Sequence, residues 1–287
     1  MPEAADTFLH RGHRLAYEIH GDGDRVLVYL HGLLLDASLN RAVARSLAAR
    51  GNRVILLDLL GHGSSDKPTH AAEYRMDMYV EEMFALLDHL GQREAVLGGL
   101  SLGANVSLLA AATDPARVRA LVLEMPVLER ATPAVAMTFV PLLLALHYAR
   151  TPARVLTRTI GRLPRTGFGP LDSIVHAASV DPDTTAAVLH GILLGPVAPP
   201  VEKREAIGVP ALVLAHRADL IHPFSDASSL VDDLPNASLL PARSPFELRV
   251  RPKRLTAEIA DFLDDVWGPG DAVDDGIDDL RARRRGA

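Results

Sequence analysis

Short apolar runs recur along the chain at 26–30, 54–57, 95–97, 120–123 and 211–215. Runs of this length without polar alternation are the pattern of strands covered on both faces. Segments of helical character fall between them, at 39–50 before Gly51, at 78–90, from 102 to about 112, at 226–234 and at 255–266. The segment 78–90 places Met83, Leu86, Leu87 and Leu90 on one side and Glu81, Glu82 and Asp88 on another, as an amphipathic helix requires. At the start, 7–10 and 13–20 flank Arg11-Gly12, and Leu15, Tyr17 and Ile19 recur at every second position, which predicts an opening hairpin. A further strand is expected near 238–240. Strands alternating with helices predict a mostly parallel sheet with helices on both faces, whose ligands bind at the carboxyl ends of the strands.

The alternation stops between 125 and 200, where helical pieces are punctuated by Pro133, Pro141, Pro152, Pro164, Pro170, Pro182 and Pro196. This predicts a helical cap (125–200) inserted into a core of 1–124 and 201–266. The run 131–149 between Arg130 and Arg150 is nearly long enough to cross a bilayer. With Pro133, Pro141 and His147 inside it, a cap helix facing an apolar cavity is expected rather than a membrane span. Val135, Met137, Phe139, Val140, Leu142, Leu143 and Leu144 then point to a small apolar ligand. Beyond Trp267 the residues turn acidic and then basic with few apolar positions, so a flexible tail (267–287) is expected.

The 287 residues are 48% hydrophobic and 23% charged, enough for a full core. A net charge of −6 leaves no basic surplus for phosphate backbones, so nucleic acid is not an expected partner. There is no cysteine, hence no disulfide framework and no thiol nucleophile. The acidic start shows no leader, and a cytoplasmic location is expected. Oligomeric state is not legible.

The chemistry concentrates at Gly99-Leu100-Ser101-Leu102-Gly103, between an expected strand and an expected helix. A turn that sharp strains its central residue, and the flanking glycines let strand and helix approach. Ser101 is then held out at the sheet top beside the N–H of Leu102 and a helix N-terminus, which suits an oxygen nucleophile and the oxyanion it generates. The loop 58–68 contains Gly61 and Gly63 but opens no helix carrying a Lys-Ser/Thr pair, so it is a structural loop, not a phosphate cradle. Asp219 follows a buried strand and precedes His222-Pro223; it can also be read as a turn or capping residue. No histidine or carboxylate spacing suits a metal, and no dinucleotide fingerprint is present, so neither metal nor cofactor is expected.

Ser101, His31-Gly32-Leu33, Asp219 and the loop with Asp58, Gly61, Gly63, Ser65 and Asp66 together resemble the α/β-hydrolase superfamily, in the branch of lidded esterases, cofactor-free haloperoxidases and C–C bond hydrolases. The resemblance implies that Ser101 is a nucleophile, that the N–H groups of Leu33 and Leu102 form an oxyanion hole, and that Asp219 orients a histidine; some relatives carry that acid at the position of Glu124. A serine at the elbow disfavours the epoxide hydrolase and dehalogenase branches. The family pattern also requires a histidine in the loop after the last strand. Here that position is Pro245, and no histidine follows His222. Three readings compete: a substitute base, with His222 beside Asp219 and His147, His176 and His190 in the cap as candidates; impaired or non-hydrolytic chemistry at Ser101; and a binding module for a ligand or protein on the same fold. Around Pro245, Arg243, Glu247, Arg249 and Arg251 form a charged loop that could bind a substrate carboxylate, but a solvated surface is the expected reading.

Overall fold

The computed structural model describes residues 4–217, 219 and 221–268. Most of the tail expected beyond Trp267, from 269 on, lies outside the described residues, as do the first three positions. Strands β1 (Ala4–His10) and β2 (His13–His20) form the expected hairpin. Its two turn residues, Arg11 and Gly12, both have positive φ (50° and 86°), the backbone that matches the twist of a two-residue hairpin. β3 (Arg25–Leu30) leads through a short 3-10 turn at Ala37–Asn40 into α1 (Arg41–Ala48), so the helix expected over 39–50 starts as a tighter turn. β4 (Asn52–Asp58), α2 (Met76–His89), β5 (Ala95–Leu100), α3 (Leu102–Thr113) and β6 (Val118–Glu124) follow. Between Glu124 and Val201 the described residues hold four helices and no strand: α4 (Thr132–Tyr148), α5 (Arg150–Ile160), α6 (Gly169–Ala177) and α7 (Pro182–Leu193). α8 (Val201–Glu205), β7 (Ala211–His216), α9 (Phe224–Asp233), β8 (Ala237–Ala242), α10 (Glu247–Val250) and α11 (Lys253–Trp267) complete the chain.

All eight strands join one sheet in the order β1-β2-β4-β3-β5-β6-β7-β8, parallel except for the β1–β2 and β2–β4 pairs. β3 explains why the strands read as unbroken apolar runs. Val26, Val28 and Leu30 pack on one side with residues of α2 and α3, while Leu27 and Tyr29 pack on the other with residues of α1 and α11. The chain runs outward from β3 to β4, then crosses back to β5 on the other side of β3. The carboxyl ends of β3 and β5 therefore flank the reversal, which is where an open α/β sheet leaves a crevice.

Two expectations change. Glu82 does not join the solvent face of α2; it is 3% exposed, and its carboxylate accepts from the N–H of Leu60 at 2.9 Å. Lying three residues from Tyr79 and four from Leu86, it falls inside the apolar arc. Burial pushes its carboxyl up to about 8. Between the ordinary carboxylate range and that value, the folded chain holds a proton that the unfolded chain has lost, so stability falls as pH rises. Glu82→Gln keeps an acceptor for Leu60 without this cost. Urea unfolding should find the variant more stable by on the order of 3 kcal/mol at pH ~9, with the gain nearly gone at pH ~5; an equal difference at both would contradict this.

The second change concerns α4. Its apolar residues divide between two faces: Val135, Phe139 and Leu143 are partly covered and Leu146 is buried, whereas Met137, Val140, Leu144 and Tyr148 are exposed. Among the described residues no single helix is long and apolar enough to cross a membrane.

Candidate active site

Ser101 adopts φ 51° and ψ −103° between β5 and α3, a conformation costly for a residue with a Cβ. Its surroundings hold it there. The Ser101 N–H donates to the carbonyl of Glu124 at 2.8 Å, while Gly99 and Gly103 let the turn close on β3. A Cβ on Gly103 would lie 2.6 Å from the Leu30 Cβ, and one on Gly99 would lie 2.5 Å from the Leu30 carbonyl oxygen. The Leu102 N–H opens α3, among the N–H groups that a helix leaves without an internal partner.

Asp219 and His222 lie between β7 and α9. One Asp219 carboxylate oxygen accepts from the N–H groups of Ile221 and His222 at 2.8 and 2.9 Å, closing a tight turn. The other lies 3.1 Å from His222 Nδ1, and His222 Nε2 lies 3.0 Å from Ser101 Oγ. Burial works against the charge on Asp219, but the bonds from the His222 ring and from both N–H groups outweigh it and hold the carboxyl at about 2. An ionised carboxylate only accepts, so Nδ1 carries the ring proton, and Nε2 presents its lone pair to the serine hydroxyl. Turn-former and ring-orienter are thus the same residue, and the two readings of Asp219 do not compete.

Among the described residues no bond joins the other candidate histidines to Ser101. His147 is exposed and packs edge-on against Tyr148, and His190 is exposed at the end of α7. His176 Nδ1 lies 2.7 Å from Asp36 Oδ2; burial opposes that carboxylate, but bonds from His176 and Ser38 hold it below the usual range. His31 accepts from the Leu59 N–H at 3.1 Å through Nε2, so its Nδ1 donates to the Gly32 carbonyl at 2.9 Å. This ties down the turn bearing Leu33, in which Leu35 N–H also donates to Gly32. A Cβ on Gly32 would touch the Leu100 side chain at 3.3 Å, so this turn lies against the residue preceding the serine. His62 is buried, and burial together with His31 pushes its ring down to about 3.

The loop around Pro245 corrects the expectation of a solvated surface. Arg243 and Arg251 are exposed, but Arg249 and Glu247 are buried. Arg249 donates to Glu124 at 2.7 and 3.2 Å, and the Tyr29 hydroxyl donates to Glu124 at 2.8 Å. Glu247 accepts from Arg254 and from the Arg243 N–H. Glu124 takes both terminal nitrogens of Arg249 and Glu247 pairs with Arg254, so Arg249 and Glu247 are parts of the interior rather than of a solvated surface.

Asn105 escaped the sequence reading. One turn after Ser101, it donates to the carbonyls of Val127 and Val197 at 2.7 and 2.8 Å and accepts from the Val127 N–H at 2.9 Å. These bonds tie the chain just before α4 and just after α7 to α3. Asp226 adds to this, accepting from the N–H groups of Leu128, Arg130 and Ala131. The signal for Asn105 was present: an amide between Ala104 and Val106 in a helix of small apolar residues must find buried partners.

The sequence model of the alpha/beta hydrolase fold matches residues 25–223, more than half of the chain, and the protein belongs to that family. A Pseudomonas putida protein named dihydrolipoyllysine-residue acetyltransferase component of acetoin cleaving system is 40% identical over 105 residues, 37% of this chain and 28% of its own length. A 2-hydroxymuconate semialdehyde hydrolase from Pseudomonas sp. (strain CF600) is 36% identical over 105 residues, 37% of this chain and 34% of its own. The aligned stretches thus span about a third of these relatives. The enol-lactonase of Burkholderia xenovorans LB400 superposes with a TM-score of 0.72 at 21% identity, over 90% of this chain and 99% of its own, a likeness of fold.

Proposed function

We propose that the protein is a serine hydrolase that transfers the acyl group of a small apolar ester or carbonyl compound to water, with Ser101 as nucleophile, His222 as general base and Asp219 as its orienting acid. One observation carries the reading: the unbroken chain from Ser101 Oγ through both ring nitrogens of His222 to the Asp219 carboxylate, with links of 3.0 and 3.1 Å. The turn between β7 and α9 supplies both acid and base, so a histidine at Pro245 is not needed.

As Ser101 Oγ attacks the carbonyl carbon, its proton passes to His222 Nε2, and Asp219 stabilises the imidazolium across Nδ1. The oxyanion accepts from the N–H groups of Leu33 and Leu102, each such donor contributing about 10²–10³ in turnover. His222 then protonates the leaving group and draws a proton from the water that releases the acid. Ser101 is partly exposed and the His222 side chain is 15% exposed, so a substrate has access. The apolar residues of the inserted helices, which leave the sheet at the end of β6, favour an uncharged substrate.

Hydrolysis of p-nitrophenyl esters of increasing acyl length tests the reading. The wild type should show saturable turnover that disappears in Ser101→Ala. Asp219→Asn, which keeps the turn but frees the ring tautomer, should lose about 10²–10⁴ in kcat. Turnover retained in Ser101→Ala, or absent from the wild type across the series, would contradict it.

A further inference from the structure

The outer face of α4 and α5 has no occupant. α4 is apolar all round, a composition that belongs in a core or in lipid, yet only the side bearing Val135, Phe139, Leu143 and Leu146 is covered. Met137, Leu144 and Tyr148 on the opposite side are 79%, 50% and 81% exposed. α5 continues the theme: Ala153, Thr157 and Ile160 turn inward, while Val155, at 63% exposed, shares the outer side with Arg158, and exposed Arg162 follows in the turn after the helix.

Charge says what covers this face. The chain as a whole carries −6, but no Asp or Glu occurs between Arg130 and Asp172, a stretch with six arginines. Arg154 is held by Asp183 at 2.5 Å and Arg130 by Ser225 and Ser229, whereas Arg158 and Arg162 are exposed with no ion pair among the described residues. Apolar side chains beside unpaired arginines suit the boundary between acyl chains and anionic headgroups. A second copy would bring Arg158 and Arg162 against their own like charges. Nor can the pair cross as one rod, because α4 and α5 meet at 105°.

We propose that the outer face of α4 and α5 docks the protein peripherally on an anionic lipid surface, with Met137, Leu144, Tyr148 and Val155 entering the headgroup boundary and Arg158 and Arg162 holding the phosphates. Docking needs neither Ser101 nor His222. The test is co-sedimentation of the whole chain with vesicles of phosphatidylcholine alone and of phosphatidylcholine mixed with phosphatidylglycerol, alongside sedimentation velocity without lipid. Wild type and Ser101→Ala should both bind the mixed vesicles, leave them as salt is raised, and bind phosphatidylcholine alone far less. Leu144→Glu with Val155→Glu should abolish binding at an unchanged melting temperature, since both positions are exposed. Arg158→Glu with Arg162→Glu should weaken it by about tenfold or more. Equal binding to both vesicles, vesicle binding unchanged in the variants, or a lipid-free dimer that Leu144→Glu dissociates without any vesicle binding by the wild type would each overturn the proposal.

Discussion

His222→Ala is expected to lower kcat for a p-nitrophenyl ester by about 10³–10⁶ while leaving the thermal melt close to that of the wild type. The His222 ring is partly exposed and, among the described residues, bonds Asp219 and Ser101, so its removal disturbs the reaction more than the fold. Residues acting as one unit give non-additive losses, and the double variant Ser101→Ala/His222→Ala should be no slower than Ser101→Ala alone. The replacements His147→Ala, His176→Ala and His190→Ala should leave kcat within about threefold of the wild type, as none of those rings lies on Ser101. A large loss in any of them with His222→Ala unaffected would move the base into the inserted helices.

Arg249→Met carries the largest expected effect on stability. The Arg249 and Glu124 side chains are 4% and 5% exposed, and Tyr29 shares the carboxylate. Removing the guanidinium leaves a buried carboxylate without its counterion, an arrangement that costs about 3–5 kcal/mol. Adding Glu124→Gln should restore most of the loss, because the amide oxygen still accepts from Tyr29 and no buried charge remains. Urea unfolding of the two variants checks this, and a single-variant loss below about 1 kcal/mol would mean that the pair is solvated. The cluster also bears on the site: Glu124 is where some relatives resembling this chain carry the catalytic acid, and here two donors already occupy it.

Much of the fold was legible because its signals are local. Continuous runs such as Val26–Leu30 read as doubly covered strands, and Gly99 and Gly103 announced a turn that only a close approach to Leu30 explains. Charged residues were harder. Glu82 and Arg249 read as surface by residue type, and their burial follows from partners 22 and 125 positions away, Leu60 and Glu124. Neither distance leaves a trace in local pattern. At the site, Ser101, Asp219 and His222 could each be singled out, but the ring that meets the serine could not, since four histidines were candidates. What selects His222 is the tight turn closed by the Asp219 carboxylate, a backbone feature set by the hydrogen bonds of Ile221 and His222. The two faces of α4 were invisible for a related reason: a helix apolar all round gives no sign of which side the rest of the chain will cover.

The proposed role of His222 as the base for Ser101 is tested most directly by intact-mass analysis of wild type, Ser101→Ala and His222→Ala after timed exposure to a fluorophosphonate. One adduct is expected on the wild type, none on Ser101→Ala, and labelling of His222→Ala slowed by about 10³ or more. Labelling of His222→Ala at the wild-type rate, or a wild type labelled no faster than Ser101→Ala, would contradict it.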